Sequence, residues 1–273
     1  MKKFDGILIC TDLDGTLLNS KNAVSAENVE AIEYFKSRGG RFTFITGRMP
    51  YYAGEIYDIV KPNAPIGCVN GGAIYDFSTG EYVWSDQLPF EAVELAKYAS
   101  ESIEGLGVQA TGFEKTWFCC ENEAMERFRR VTSMENAVCA FDALRPPLAK
   151  IIFGDFDHEK MLRLASLLSA HPLADRFDFI SSEATLYEIL PKNTNKGNIL
   201  PRLTAHLGMD MSRTIALGDY YNDLEMIRRA HLGIAVANAC DEVKAVADMI
   251  TVSNDDHAIA KIIWDIDSGK IDI

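Results

Sequence analysis

The run Ile7-Leu8-Ile9-Cys10-Thr11-Asp12-Leu13-Asp14-Gly15-Thr16 constrains the fold more than any other stretch. Its apolar residues read as a buried strand, which stops on two carboxylates one residue apart, with a glycine to turn the chain. In an open α/β sheet such acids stand at the carboxyl edge of the strand, where ligands bind. Two carboxylates about 4 Å apart repel by roughly 4 kcal/mol at an effective dielectric near 20. A cation, a shared proton or wide separation must relieve that repulsion. A turn with solvated aspartates also fits these ten residues, so the rest of the chain decides.

A second apolar run, residues 41–45, closes on Thr46-Gly47-Arg48, and a third, 66–69, closes on Asn70-Gly71-Gly72. Ser25 is placed to cap a helix with the stripe Val29, Ile32 and Phe35, which Gly39-Gly40 ends. Pro50 suits the first turn of another helix, ending near Pro62. This alternation predicts right-handed crossovers in a parallel sheet. The rhythm then changes. Residues 73–77 and 81–84 flank Ser78-Thr79-Gly80 as a hairpin. Strand pairs follow at 108–111 with 116–119 and at 177–181 with 186–190, with a strand at 150–154 and helices at 89–102, 123–132 and 158–169. Strands that meet strands describe an α+β unit, so residues 85–189 read as an insertion.

Parallel rhythm returns with a helix running from Asn195-Lys196-Gly197 to Gly208. A buried strand at 214–217 ends on Gly218-Asp219, and a helix starts near Asn222. A strand at 233–236, a helix near Glu242, a strand at 249–252 and a helix at 256–266 complete the pattern. One domain, residues 1–84 with 190–273, is therefore expected to be interrupted by another.

Charge narrows the partners. Lys and Arg number 27 against 40 Asp and Glu, a net charge of −13. Such a surface repels phosphate backbones and anionic bilayers, so neither nucleic acid nor a membrane is expected. A small anion still fits where local cations or a metal offset the field. The apolar run after Met1-Lys2-Lys3-Phe4-Asp5 is too short, and too soon broken by acids, for a signal peptide or a membrane span. The six cysteines form no CxxC pair and several lie in apolar runs, which fits reduced thiols and a cytoplasmic setting.

If the sheet is parallel, Asp12, Asp14, Thr46, Lys196, Asp219 and Asp223 converge on one edge. Each type has a use there. A carboxylate can attack a phosphoryl group, and a second acid can protonate the leaving oxygen. A hydroxyl and an ammonium can hold nonbridging oxygens. Asp219 and Asp223 would share one helical face toward a cation, and carboxylate oxygens without Cys or His favour magnesium over zinc.

Four motifs stand in order: Asp12-Leu13-Asp14-Gly15-Thr16, Ile45-Thr46-Gly47-Arg48, Asn195-Lys196-Gly197 and Gly218-Asp219-Tyr220-Tyr221-Asn222-Asp223. This order resembles the haloacid dehalogenase superfamily of aspartate-nucleophile phosphatases. The insertion after Asn70-Gly71-Gly72, with Val236-Ala237-Asn238-Ala239 and Asn254-Asp255-Asp256, resembles its Cof-type branch with a large α/β cap. The resemblance implies a Rossmann-like parallel-sheet core with an inserted α+β cap. It implies Asp12 as nucleophile, forming an aspartyl phosphate, and Asp14 as general acid/base. Thr46, Gly47 and Lys196 would bind phosphate, with Asn70 contacting it or shaping the site. Mg²⁺ would be held by Asp12, the Asp14 carbonyl and Asp219, with Asn222 and Asp223 ligating or supporting. Tyr220-Tyr221 is bulky for the motif, and Val236-Ala237 replaces a common Met-Gly. The expected function is hydrolysis of small phosphorylated metabolites, such as sugar phosphates or phosphorylated cofactors. A sugar phosphomutase or phosphotransferase of the same superfamily, and a regulatory phosphoacceptor module, are the alternatives. Arg48 fits either a surface or a substrate-edge position, and Lys115, Trp117 and Phe118 fit either substrate contact or core.

Overall fold

The computed structural model describes residues 3–131 and 137–273. Met1 and Lys2, and Thr132 at the expected end of the charged helix, lie outside them. The chain divides into two compact units, Met1–Ser85 with Asn195–Ile273, and Asp86–Thr194. The second boundary falls at Thr194, beyond the expected 189, and the strand expected over 186–190 runs on to Pro191.

In the first unit, β1 (Leu8–Thr11) lies between parallel neighbours and is buried along its whole length, which is why it is apolar throughout. The chain continues through α1 (Ala26–Ser37), β2 (Arg41–Phe44) and α2 (Pro50–Val60). Ser25 caps α1 by accepting the Asn28 N–H, as its position predicts. A small sheet follows, made of β3 (Ile66–Cys68), β4 (Ala73–Asp76) and β5 (Glu81–Ser85). Here the expected third parallel strand is met only in part. The turn at Asn70-Gly71-Gly72 sends the chain straight back, so β3 pairs antiparallel with β4, and a single parallel bridge, Ile45 to Gly67, links it to the main sheet.

The second unit holds α3 (Ala92–Ser102), β6 (Gly107–Gly112), β7 (Thr116–Cys120), α4 (Glu123–Val131), β8 (Leu148–Gly154), α5 (His158–Ser169), β9 (Phe177–Glu183) and β10 (Leu186–Pro191). Its sheet is antiparallel in the order β7-β6-β8-β10-β9. Leu95 and Ala99 of α3 and Leu164 and Leu168 of α5 share a buried cluster with Val108, Ile151 and Phe153. The sequence pattern of an α+β insertion is thus observed.

The first unit resumes with α6 (Lys196–Leu207), β11 (Thr214–Gly218), α7 (Leu224–Arg229), β12 (Leu232–Ala235), α8 (Asp241–Val246), β13 (Met249–Ile250) and α9 (Ala258–Asp267). The parallel sheet has the order β13-β12-β11-β1-β2. Its register aligns Thr11 with Leu217 and with Phe44, so the residues that follow each strand reach the same edge together.

Gly197, one residue into α6, lies where a Cβ would come within 2.4 Å of the Glu225 carbonyl oxygen. Alanine would raise helix propensity by about 1 kcal/mol, whereas overpacking against fixed backbone costs about 1–3 kcal/mol. The clash wins. Gly197→Ala is expected to lower the urea midpoint; an unchanged or raised midpoint would show that α6 and α7 separate freely.

Candidate active site

Asp12 follows β1 directly, and its N–H donates to the Leu217 carbonyl at 2.9 Å, extending the ladder by one step. Its carboxylate is buried. Lys196 Nζ lies 2.5 Å from Asp12 Oδ1 and 2.6 Å from Asp223 Oδ1, with no exposed surface of its own. The lysine opens α6, where the helix dipole disfavours a cation. Burial also works against its charge, but Asp12 and Asp223 more than offset it and hold the ammonium above the usual lysine range.

Asp223 is fixed from both sides, since its second oxygen accepts the N–H groups of Asp219 at 2.9 Å and Tyr220 at 3.1 Å. Gly218 permits this approach: a Cβ there would lie 2.5 Å from that of Asp223. Helical spacing was the expected reason for Asp219 and Asp223 to converge. The structure gives another, because Tyr221–Asp223 form a 3₁₀ turn ahead of α7 and Asp223 folds back onto the Asp219 loop.

Asp12 and Asp14 are met by two separate cations. Asp14 turns away, half-exposed, and meets Arg48, with Nη2 2.6 Å from Oδ1 and Nε 3.0 Å from Oδ2. Thr46, buried beside them, uses its Oγ1 to accept the Arg48 N–H at 3.2 Å, so its own hydroxyl proton points elsewhere. Asn70 sits in the left-handed region (φ 53°) and its N–H donates to the Thr46 carbonyl at 3.0 Å. Asn70 Oδ1 accepts from Asn222 Nδ2 at 3.1 Å, which ties the Thr46 loop to the Asp219 loop. Gly47 leaves room for this amide, since a Cβ would lie 2.9 Å from Asn70 Oδ1.

Asp12, Asp219 and Asp223 each bring a carboxylate oxygen within 4.8 Å of the others. Hard oxygen donors without sulfur or imidazole suit a divalent cation. Thr16 Oγ1 donates to Asp219 Oδ1 at 2.7 Å, and both Asp223 oxygens are taken. Among the described residues, Asp12 Oδ2 and Asp219 Oδ2 are left without a hydrogen-bond partner. Burial and then Asp223 push Asp219 up to about 7, against the Thr16 hydroxyl and Lys196. Asp12 is also raised, by burial and then, against Lys196, by its three carboxylate neighbours. A cation at these oxygens would relieve both, so the donor set fits one.

Several supports escaped the sequence reading. Thr16 lay inside a motif read for its acids. Asn238 Nδ2 donates to the Gly15 carbonyl at 2.8 Å and its Oδ1 accepts the Asn254 N–H at 3.0 Å, while Asn254 Nδ2 donates to the Leu18 carbonyl at 2.9 Å. Their signal was their place in the two late segments that carry the family resemblance, which gave them no role. In the second unit Phe118 is fully buried under the Arg129 guanidinium, and Trp117 packs on the apolar cluster, so both are core; Lys115 is exposed.

The sequence model of the haloacid dehalogenase-like hydrolase family matches residues 9–263. A solved haloacid dehalogenase-like hydrolase from Bacteroides thetaiotaomicron superposes with a TM-score of 0.85 at 28% identity, over 96% of this chain and 99% of that one. The 5-amino-6-(5-phospho-D-ribitylamino)uracil phosphatase YwtE of Bacillus subtilis is 28% identical over 96% of this chain and 98% of its own length. The chloroplastic endoribonuclease YBEY of Arabidopsis thaliana is also 28% identical over 94% of this chain, which spans only 46% of that protein.

A carboxyl whose folded-state pKa lies above its unfolded value takes up a proton on folding. For Asp219 that makes metal-free stability fall as pH rises from about 4 to about 7. Asp219→Asn is expected to flatten this part of the stability-pH curve, read by urea denaturation in chelator. An unchanged slope would remove Asp219 from the strained cluster.

Proposed function

This chain belongs to the haloacid dehalogenase-like hydrolases, and as one of their phosphatases we propose that it is a Mg²⁺-dependent phosphomonoesterase acting through an aspartyl phosphate. The observation that carries this reading is the Asp12–Lys196–Asp223 contact beside Thr46 at the sheet edge. Asp12, its carboxylate paired with the ammonium, attacks phosphorus as the anion, and the ester oxygen leaves. Asp14 gives that oxygen its proton and later takes one from water, which attacks the aspartyl phosphate and releases inorganic phosphate. The Thr46 hydroxyl, the Gly47 N–H and Lys196 hold the nonbridging oxygens as charge shifts. Mg²⁺, held by Asp12, Asp219 and the Asp14 carbonyl with Asn222 and Asp223 in support, would supply charge neutralisation at the phosphoryl group. Asn70 acts by keeping Gly47 and Asn222 in place.

The substrate class is a small phosphorylated metabolite, a sugar phosphate or a phosphorylated cofactor or its precursor. The full-length match to YwtE supports this, and residues 86–194 are read as the cap that selects the leaving group. Ribonuclease activity is not carried over from a relative of which this chain spans less than half, and the net charge of −13 opposes RNA. All six cysteines are free thiols, and no helix among the described residues is long and apolar enough to cross a membrane, which suits a cytoplasmic site of action.

The test is phosphate release from a panel of phosphorylated metabolites with Mg²⁺ and no acceptor. Asp12→Asn is expected to lose turnover by roughly 10⁴-fold or more, the scale on which removing an activated nucleophile acts. Wild-type turnover in that variant would overturn the nucleophile. Transfer between sugar positions without release would point to a mutase, and a long-lived phosphoprotein to a phosphoacceptor module.

A further inference from the structure

Asp14 and Asp12 are held in different ways. Asp12 is buried against a point charge, whereas the Asp14 side chain is 47% exposed and, among the described residues, its carboxylate has hydrogen bonds to Arg48 alone. Without that partner the side chain would be free to rotate. Arg48 itself is fixed along its backbone, its N–H donating to Thr46 Oγ1 and its carbonyl accepting the Val69 N–H at 3.2 Å. The guanidinium therefore returns over the Asp12–Thr16 loop from a rigid base. A planar fork that engages both oxygens sets the plane of a carboxylate as well as its place, which an ammonium cannot do.

We propose that Arg48 is a positioning residue that aims Asp14 at the leaving oxygen. This rests on the reading of Asp14 as general acid. Ionised Asp14 gives both oxygens to the guanidinium. To act as an acid it carries a proton on one of them, and the Arg48 hydrogen bond to that oxygen weakens because it loses its charge. Oδ2, held at 3.0 Å, is the oxygen that takes the proton, while Oδ1, at 2.6 Å, stays tightly bound and keeps the carboxyl in plane. As the phosphorus–oxygen bond breaks, the proton passes from Oδ2 to the departing alcohol oxygen, and the bond from Nε to Oδ2 strengthens again. An exposed pair of this kind contributes little to stability, so its loss falls on the chemistry. Small misplacements of a catalytic group cost up to about 10²-fold in rate.

Single turnovers with enzyme in excess, followed by release of the alcohol or phenol, read the first step alone. Nitrophenolate leaves without a proton, whereas an alkoxide needs one. Arg48→Ala is expected to slow release from a simple alkyl phosphate by about 10²-fold and from p-nitrophenyl phosphate by less than about fivefold, with little change in KM. Arg48→Lys, which keeps the charge but loses the fork, should show the same split. Retained nitrophenyl release serves as the check on folding, with thermal melting alongside. Equal loss on both esters with a raised KM in folded Arg48→Ala and Arg48→Lys would overturn the proposal and make Arg48 a phosphate or substrate contact. Asp14→Asn separates the two layers. If it spares the nitrophenyl ester while Arg48→Ala slows neither, Arg48 does not position Asp14. If Asp14→Asn slows both esters alike, the acid assignment beneath the proposal fails.

Discussion

The ammonium of Lys196, buried between the carboxylates of Asp12 and Asp223, is the contact from which the rest of the site follows. Three carboxylates crowd within 4.8 Å here, and this lysine is the cation bonded to two of them. Removing one partner of a buried ion pair costs about 3–5 kcal/mol, a large part of the 5–15 kcal/mol that holds a domain folded. The position at the start of α6 adds a helix dipole of the wrong sign. A chain selected for stability alone would put an apolar residue at such a place. The lysine makes sense chemically, because its charge favours the Asp12 anion in a setting where burial and three carboxylates favour the neutral acid.

Backbone proximity builds the rest around that contact. Register in the parallel sheet brings the ends of β1, β2 and β11 to one edge, and glycines let the loops close. A Cβ at Gly15 would lie 2.4 Å from Asp219 Oδ2, and one at Gly71 would lie 2.1 Å from the Asn195 carbonyl. Both glycines also have φ near 90°, which side chains rarely tolerate. Asn70, Asn238 and Asn254 then bridge loops far apart in sequence, so the site is a network of turns braced against one another.

Much of this was legible in the sequence for a physical reason. Buried parallel strands must be apolar, so the place where Leu8–Thr11 gives way to Asp12 marks the sheet edge without knowledge of the fold. The alternation of strand and helix likewise set out the main sheet and the inserted unit. The sequence was silent wherever direction or pairing depends on a turn. The antiparallel pairing of β3 with β4 follows from the compact turn at Asn70-Gly71-Gly72, and the convergence of Asp219 and Asp223 follows from amides whose N–H groups Asp223 accepts. Arg48 was ambiguous because a surface arginine and one forked onto Asp14 have the same local sequence. Asn238 and Asn254 stand in segments marked by the resemblance, but the backbone groups they bind leave no trace in residue type.

The central claim is that Lys196, bonded to the Asp12 carboxylate, favours the anion that takes the phosphoryl group. Rapid acid quench during turnover, followed by peptide mass mapping, measures this directly. The account predicts one added phosphoryl group on the peptide that carries Asp12 in the wild type, and none there in folded Lys196→Met. A phosphoryl group on another residue, or undiminished labelling of Asp12 in Lys196→Met, would contradict it.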